Sequence, residues 1–331
     1  MRAGAVPLLL LPLLLPAATL PAAPAGREVR VRDTAELRAA LRDLRPGTTV
    51  LLAPGTYEGG HRLEGVAGTE KEPVVIRGAD PAKPPLLEGG GSTALHLSDC
   101  SFVRLAHLRV RGFAANGINI DDGGTFATPA RGITVESVGI EDTGPRGNHD
   151  GLKMSGVAGF LVKDCRISGW GGSAIDMVGC RDGVVESCRF EGREGFSASN
   201  GVQMKGGTRD VLVHRSYFRD CGSRAVNLGG STGLEYFRPE VGDFEARDIE
   251  VAGNRFHGSA AAVAFVTAAS ARVHHNTIHL PGKWVLRILQ ETDLERFRPC
   301  REGVFEDNLV VFDGAVGTFV NTGPRTAPNQ R

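Results

Sequence analysis

The feature that most constrains this chain is an internal repeat. A short unit, apolar-x-x-[small or Asn]-x-apolar, recurs at 103–108, 135–140, 162–167, 185–190, 213–218, 251–256, 273–278 and 305–310. Between these copies falls a second unit, [Gly/Ala]-apolar-x-apolar, at 94–97, 117–120, 151–154, 174–177, 201–204, 225–228 and 262–265. Both alternate with a period of two, which is the pattern of strands. One such unit cannot bury its apolar face alone, but a stack of them can.

The repeat therefore predicts an all-β solenoid, a right-handed parallel β-helix, with each coil stacked ~4.8 Å beyond the last. Eight or nine coils would make a rod of roughly 40 Å. Leucine-rich repeats are the competing architecture, and they would need a Leu-rich consensus and a helix per repeat. Composition agrees with many short strands and turns: 45 of 331 residues are Gly and aromatics make up only 6%. One helix is predicted, over 34–45, where Asp33 and Glu36 form a capping box and Leu37, Leu41 and Leu44 share a face.

The fourth position of the first unit predicts an internal column of Ala106, Val138, Cys165, Cys188, Ser216, Asn254, Asn276 and Asn308. Its last three members form an Asn ladder, whose stacked amides satisfy one another inside a turn. Cys165 and Cys188 read as buried fillers in preference to a disulfide. The six Cys form no C-x-x-C pair, which argues against a zinc ribbon.

Charge excludes one class of partner. Lys plus Arg and Asp plus Glu are both 38, so the chain lacks the basic footprint of a nucleic-acid binder. Residues 1–25 read as a signal peptide: Arg2, a short apolar run broken by Pro7, Pro12 and Pro16, then Ala23-Pro24-Ala25 before Gly26. Residues 26–331 are then one β-helix domain, secreted to the periplasm or beyond, with no transmembrane segment after cleavage and with a monomer as the expected state.

The chemistry is sought on the face made by the second unit, whose intervening residues point outward. Two outward columns result. The first is His96, Asn119, Lys153, Asp176, Gln203, Asn227 and Ala264; the second is Ser98, Asp121, Ser155, Val178, Lys205, Gly229 and Val266. Polar members concentrate in the middle coils, and two of only six lysines lie here. Insertions at 121–131, 141–150, 191–200 and 231–248 flank the same patch and would wall a groove. Tyr236 and Phe237 in one of them are suited to stacking on sugar rings or to anchoring the loop. Lys153 is expected to pair with Asp176. Lys205 has Val178 and Gly229 as column neighbours, with no acid and with open space beside the amine, so it reads as a general base or as a solvated surface lysine.

With the fold in view, the chain resembles the pectate-lyase-like β-helix superfamily. The stretch 37–57, LRAALRDLRPGTTVLLAPGTY, resembles the capping helix and first coil of exported polysaccharide lyases. Asn200-Gly201-Val202-Gln203-Met204-Lys205 is similar to the D-G-F-x-x-K segment of family 9 pectate lyases, with Asn for Asp. The resemblance implies that Lys205 abstracts a proton from an acidic polysaccharide and that aspartates hold calcium. The family's Asp-rich coil is replaced here by Gly222–Leu228, GSRAVNL, so the acids left for calcium are Asp121, Asp122, Asp150 and Asp176.

The implied reaction is β-elimination on a uronate. Calcium, or Lys153 and Arg224, would offset the carboxylate charge; Lys205 would take the C5 proton and His149 would protonate the leaving oxygen. Asn119, Asp176, Gln203, Asn227 and Tyr236 are the expected substrate contacts. The alternatives are a C5-epimerase, a glycoside hydrolase using Asp150 and Asp176, and a non-catalytic glycan-binding or cell-surface protein. The G-x-S-x-G match at 229–233 is not a nucleophile elbow, because a loop and not a helix follows it.

Overall fold

A computed structural model describes residues 26–324 and 326, apart from 293. The predicted signal peptide, 1–25, lies outside the described residues. The chain winds into three parallel sheets, of 13, 10 and 10 strands, in which each strand pairs with the strands one coil before and one coil after it. Each full coil visits the first sheet, then the second, then the third. Strands at 134–136, 139–141 and 152–155 make one such coil. The core is the prism interior, filled by inward positions such as Val135, Val162, Val185 and Val213 of the first sheet and Met154, Met177 and Met204 of the third.

The repeat extends further than the sequence pattern suggested. Strands Thr49–Leu52, His61–Glu64 and Val74–Gly78 already belong to the sheets, although they precede residue 94. These coils keep a small residue at the fourth position, Ala53 and Ala79, but carry Gly55 and Pro81 where the unit has its second apolar residue, so they fall outside the motif. The helix Thr34–Leu41 is shorter than predicted. Its cap is as expected: Asp33 Oδ1 accepts from the Glu36 N–H at 2.8 Å, and Glu36 reaches back to the Arg32 N–H. Leu37 and Ala40 bury against the first coil.

The internal column needs one correction. Val135 pairs with Leu105, not Val103, so the column begins at Leu108 and not Ala106. From there it runs as predicted. Ser216 Oγ accepts from the Cys188 N–H at 3.0 Å, Asn254 Oδ1 from the Ser216 N–H, Asn276 Oδ1 from the Asn254 N–H, and Asn308 Oδ1 from the Asn276 N–H. Cys165 and Cys188 are free and buried, with their thiols donating to the Val135 and Val162 carbonyls. Among the described residues, no helix is long and apolar enough to cross a membrane.

Candidate functional site

The third sheet carries the predicted outward columns. Its register joins His96, Asn119, Lys153, Asp176, Gln203, Asn227 and Ala264 in one row, and Ser98, Asp121, Ser155, Val178 and Lys205 in the next. Short turns lead from this sheet to the first, each made by a glycine with positive φ: Gly156, Gly179 and Gly206. A side chain at Gly156 would collide with Asp122, and one at Gly179 with Arg238. These positions clear the ground for the groove wall.

That wall is the insertion between the strands Arg224–Gly229 and Ala246–Ala252. Two buried acids fasten it. Asp122 Oδ2 accepts from Arg238 Nε at 2.7 Å, and the same guanidinium lies 4.1 Å from the Phe126 ring centroid. Glu245 accepts from the Gly206 N–H, the Thr232 N–H and hydroxyl, and the Thr292 hydroxyl, at 2.6–2.8 Å. Neither clasp was predicted. Both partners lie in non-repeating segments, where no pattern marks them. The two aromatics divide the roles foreseen for them. Phe237 is buried, 5.5 Å from Phe297, and anchors the loop. Tyr236 is 56% exposed and faces the groove.

The groove encloses about 360 Å³ and is lined chiefly by Lys153, Lys205, Ser155, Val178, Tyr236 and Arg238. Under it lies a four-charge cluster. Lys153 Nζ contacts Asp176 Oδ2 directly and lies 3.5 Å from Asp150 Oδ2. Lys205 Nζ lies 3.5 Å from the same Asp176 oxygen. Asp150 and Asp176 are fully buried, whereas Lys153 and Lys205 stay partly open to the groove. Burial, and next the charge of Asp176, push the Asp150 carboxyl up to about 6, against the pull of Lys153, the Ser173 N–H and Lys205. Burial alone would push the Lys153 amine down. The charges of Asp176 and Asp150 outweigh it and hold the amine above the ordinary lysine range.

Several expectations change. Lys205 is not free of acids, because its stem is long enough to reach diagonally to Asp176. The space beside it is not open either. The Gly229–Gly230 backbone closes down there, and a side chain at Gly229 would lie 1.7 Å from the Val266 carbonyl oxygen. Asp176 and Asn227 are fully buried and offer nothing to a substrate. Asn227 spends its amide on the Gly229 carbonyl and its oxygen on Arg224. Arg224 starts its strand while Lys205 ends the neighbouring one, five residues along, or about 16 Å. Its guanidinium is taken by Glu291. His149 packs over Gly144, and the preceding Asn148 lines the groove instead. Asn119 is half-buried and accepts from Asn116, and Gln203 accepts from Asn200 and Ser173.

The four acids proposed for calcium do not converge. Asp121 is held by His96 and Ser98, Asp122 by Arg238, and Asp150 and Asp176 by Lys153. Among the described residues, no three His, Cys, Asp or Glu side chains gather as a metal site. A donor set already filled by lysine and arginine nitrogens does not fit calcium, and no step below is routed through it.

Comparison with known proteins gives the fold and a set of glycan-active neighbours. The alginate lyase from Paenibacillus sp. str. FPU-7 superposes with a TM-score of 0.62 at 18% identity, over 89% of this chain and 99% of that one. A PL6 family alginate lyase gives 0.53 at 12% identity over 89% of this chain, which spans only 53% of that protein. The family 28 exopolygalacturonase of Yersinia enterocolitica gives 0.53 at 11% identity, over 88% and 67%. No curated protein matches by sequence. The family described as right handed beta helix region matches residues 93–278, more than half the chain, and the protein belongs to it.

Proposed function

We propose that this protein is an exported polysaccharide lyase that cleaves an acidic, uronate-containing polymer by β-elimination. One observation carries the reading: the groove presents two lysines to a ligand while the carboxylates that hold them lie buried beneath. A floor of two lysines, with the Lys153 ammonium held over buried acids, suits a negatively charged sugar. It does not suit glycoside hydrolysis, which needs two carboxylates facing the scissile bond. The lyases among the structural neighbours act on uronate polymers such as alginate, which supports the same substrate class.

In this reading Lys153, held protonated by Asp176 and Asp150, neutralises the uronate carboxylate and makes the C5 proton acidic. Lys205, in its neutral form, takes that proton. The C5–H electron pair forms the C4–C5 double bond, and the bond from C4 to the glycosidic oxygen breaks. The Lys205 ammonium then returns its proton to the leaving oxygen, since His149 does not line the groove. Tyr236 supports the sugar ring at the rim. The test is absorbance of unsaturated uronate when the mature protein meets pectate, alginate, chondroitin and heparan. A rise with one of them that persists in chelator supports the proposal. Silence with all four, or cleavage without unsaturated product, overturns it.

A further inference from the structure

The molecule has a second and larger cleft, of about 750 Å³, on the first sheet and away from the lysine groove. Its floor is Ala158 and Gly159, and its walls include Arg131, Arg181 and Phe102. The register explains how it is built. Arg131 pairs with Ala158, and Ala158 pairs with Arg181, so two arginines stand two rungs apart with a methyl group between them. That leaves a notch ~9.6 Å between backbones, one missing side chain deep. The Phe102 ring closes one end by lying on Gly132, where a Cβ would come within 2.5 Å of it. The half-buried ring edge gives an apolar surface beside the cations.

The arginines are not equivalent. Arg131 is exposed and has no ion pair among the described residues. Arg181 lies beside Asp182, with Nε 3.6 Å from its carboxylate. The same row continues through Arg209 and Arg247, one per rung, each with Nε toward the Asp that follows it. A linear polyuronate carries one carboxylate per sugar, a repeat close to this rung spacing. Guanidinium forks pair with carboxylates in two-point fashion.

We infer that this notch and the arginine row below it form a second, non-catalytic site for an acidic glycan, with one uronate held between Arg131 and Arg181. The inference rests on the acidic-glycan reading of the protein but not on the lysine groove being catalytic. It implies that the solenoid holds a polymer on one sheet while the neighbouring sheet works on it.

The test is native electrophoresis in gels containing alginate or polygalacturonate, with a neutral glucan gel as control. The Arg131→Ser/Arg181→Ser variant is expected to lose at least fivefold in apparent affinity for the uronate gel and to migrate as wild type in the glucan gel. Arg131→Lys should recover only part of the loss. Turnover of short uronate oligomers should stay within twofold of wild type. Wild-type retardation by the double variant, with unchanged thermal unfolding, overturns the inference. Retardation that depends on the arginines but is not accompanied by cleavage upholds this site and counts against the lyase reading alone.

Discussion

The third sheet presents the same outward columns along its whole length, yet its two halves have opposite character. In the middle coils the column positions are Lys153, Asp176 and Lys205, under an open groove. Two and three coils further on they include Ala264, Val266 and Leu289, which form a small apolar cluster separate from the main core. The strand Ala261–Val266 is buried on both faces. The difference lies in what covers them. Beyond the groove, Phe237 packs on Phe297, and Glu245 ties Thr232 to Thr292, so the loops on this side are sealed down. A covered outward position becomes a second core and favours apolar residues. An uncovered one is free to carry charge. Where the loops cover this sheet its outward positions Ala264, Val266 and Leu289 are apolar, and charge returns at Arg287, one coil beyond Ala264.

The comparison is broken most sharply by removing the amine at the centre of the open half. Lys205→Ala is expected to lower kcat/KM on the preferred uronate by about 10²–10⁴-fold, with little change in thermal unfolding. Next comes the converse, placing charge in the covered half. Val266→Lys buries an unpaired ammonium and should cost about 3 kcal/mol or more in denaturant unfolding, whereas Ser155→Lys in the open half should cost far less. The clasp between the halves comes third. Glu245→Ala leaves the Gly206 N–H and two threonine hydroxyls without their acceptor. It should destabilise the protein by about 2 kcal/mol and raise hydrogen exchange in 230–245.

A further effect is one of pH. The Asp150 carboxyl stands near 6 in the folded chain against an ordinary 3.8. The folded state therefore binds its proton more tightly than the unfolded state. The stability contributed by this group falls as pH rises between about 4 and 6 and is level above. In Asp150→Asn that decline disappears. The difference in unfolding free energy between wild type and variant should therefore drop across that window and stay flat from pH 7 to 8.

Much of this was legible in the repeat. The columns, their polar middle, the flanking insertions and the Asn ladder all follow from period-two alternation, because a one-residue slip would expose the entire core. Three things were not legible. Neighbours within a column can be counted along a rung, but Lys205 meets Asp176 diagonally, through the length of its side chain. The insertions have no repeat, so Arg238 finding Asp122 across 116 residues left no trace in the pattern. The turn of the 141–150 loop that seats His149 on Gly144 is likewise set by local contacts. The coils before residue 94 escape the repeat for the opposite reason: they fold as the rest do, with Ala53 and Ala79 at the turn, but Gly55 and Pro81 interrupt the pattern where the second apolar residue should stand.

The central claim is that Lys205 removes the C5 proton of a bound uronate. The most direct measurement is proton NMR of the cleaved uronate polymer incubated in D₂O with wild type and with Lys205→Ala. Wild type should produce the olefinic H4 signal of an unsaturated chain end, and Lys205→Ala, folded to the same melting temperature, should leave the C5 proton in place and the polymer intact. Olefinic product formed by Lys205→Ala at the wild-type rate would contradict the account.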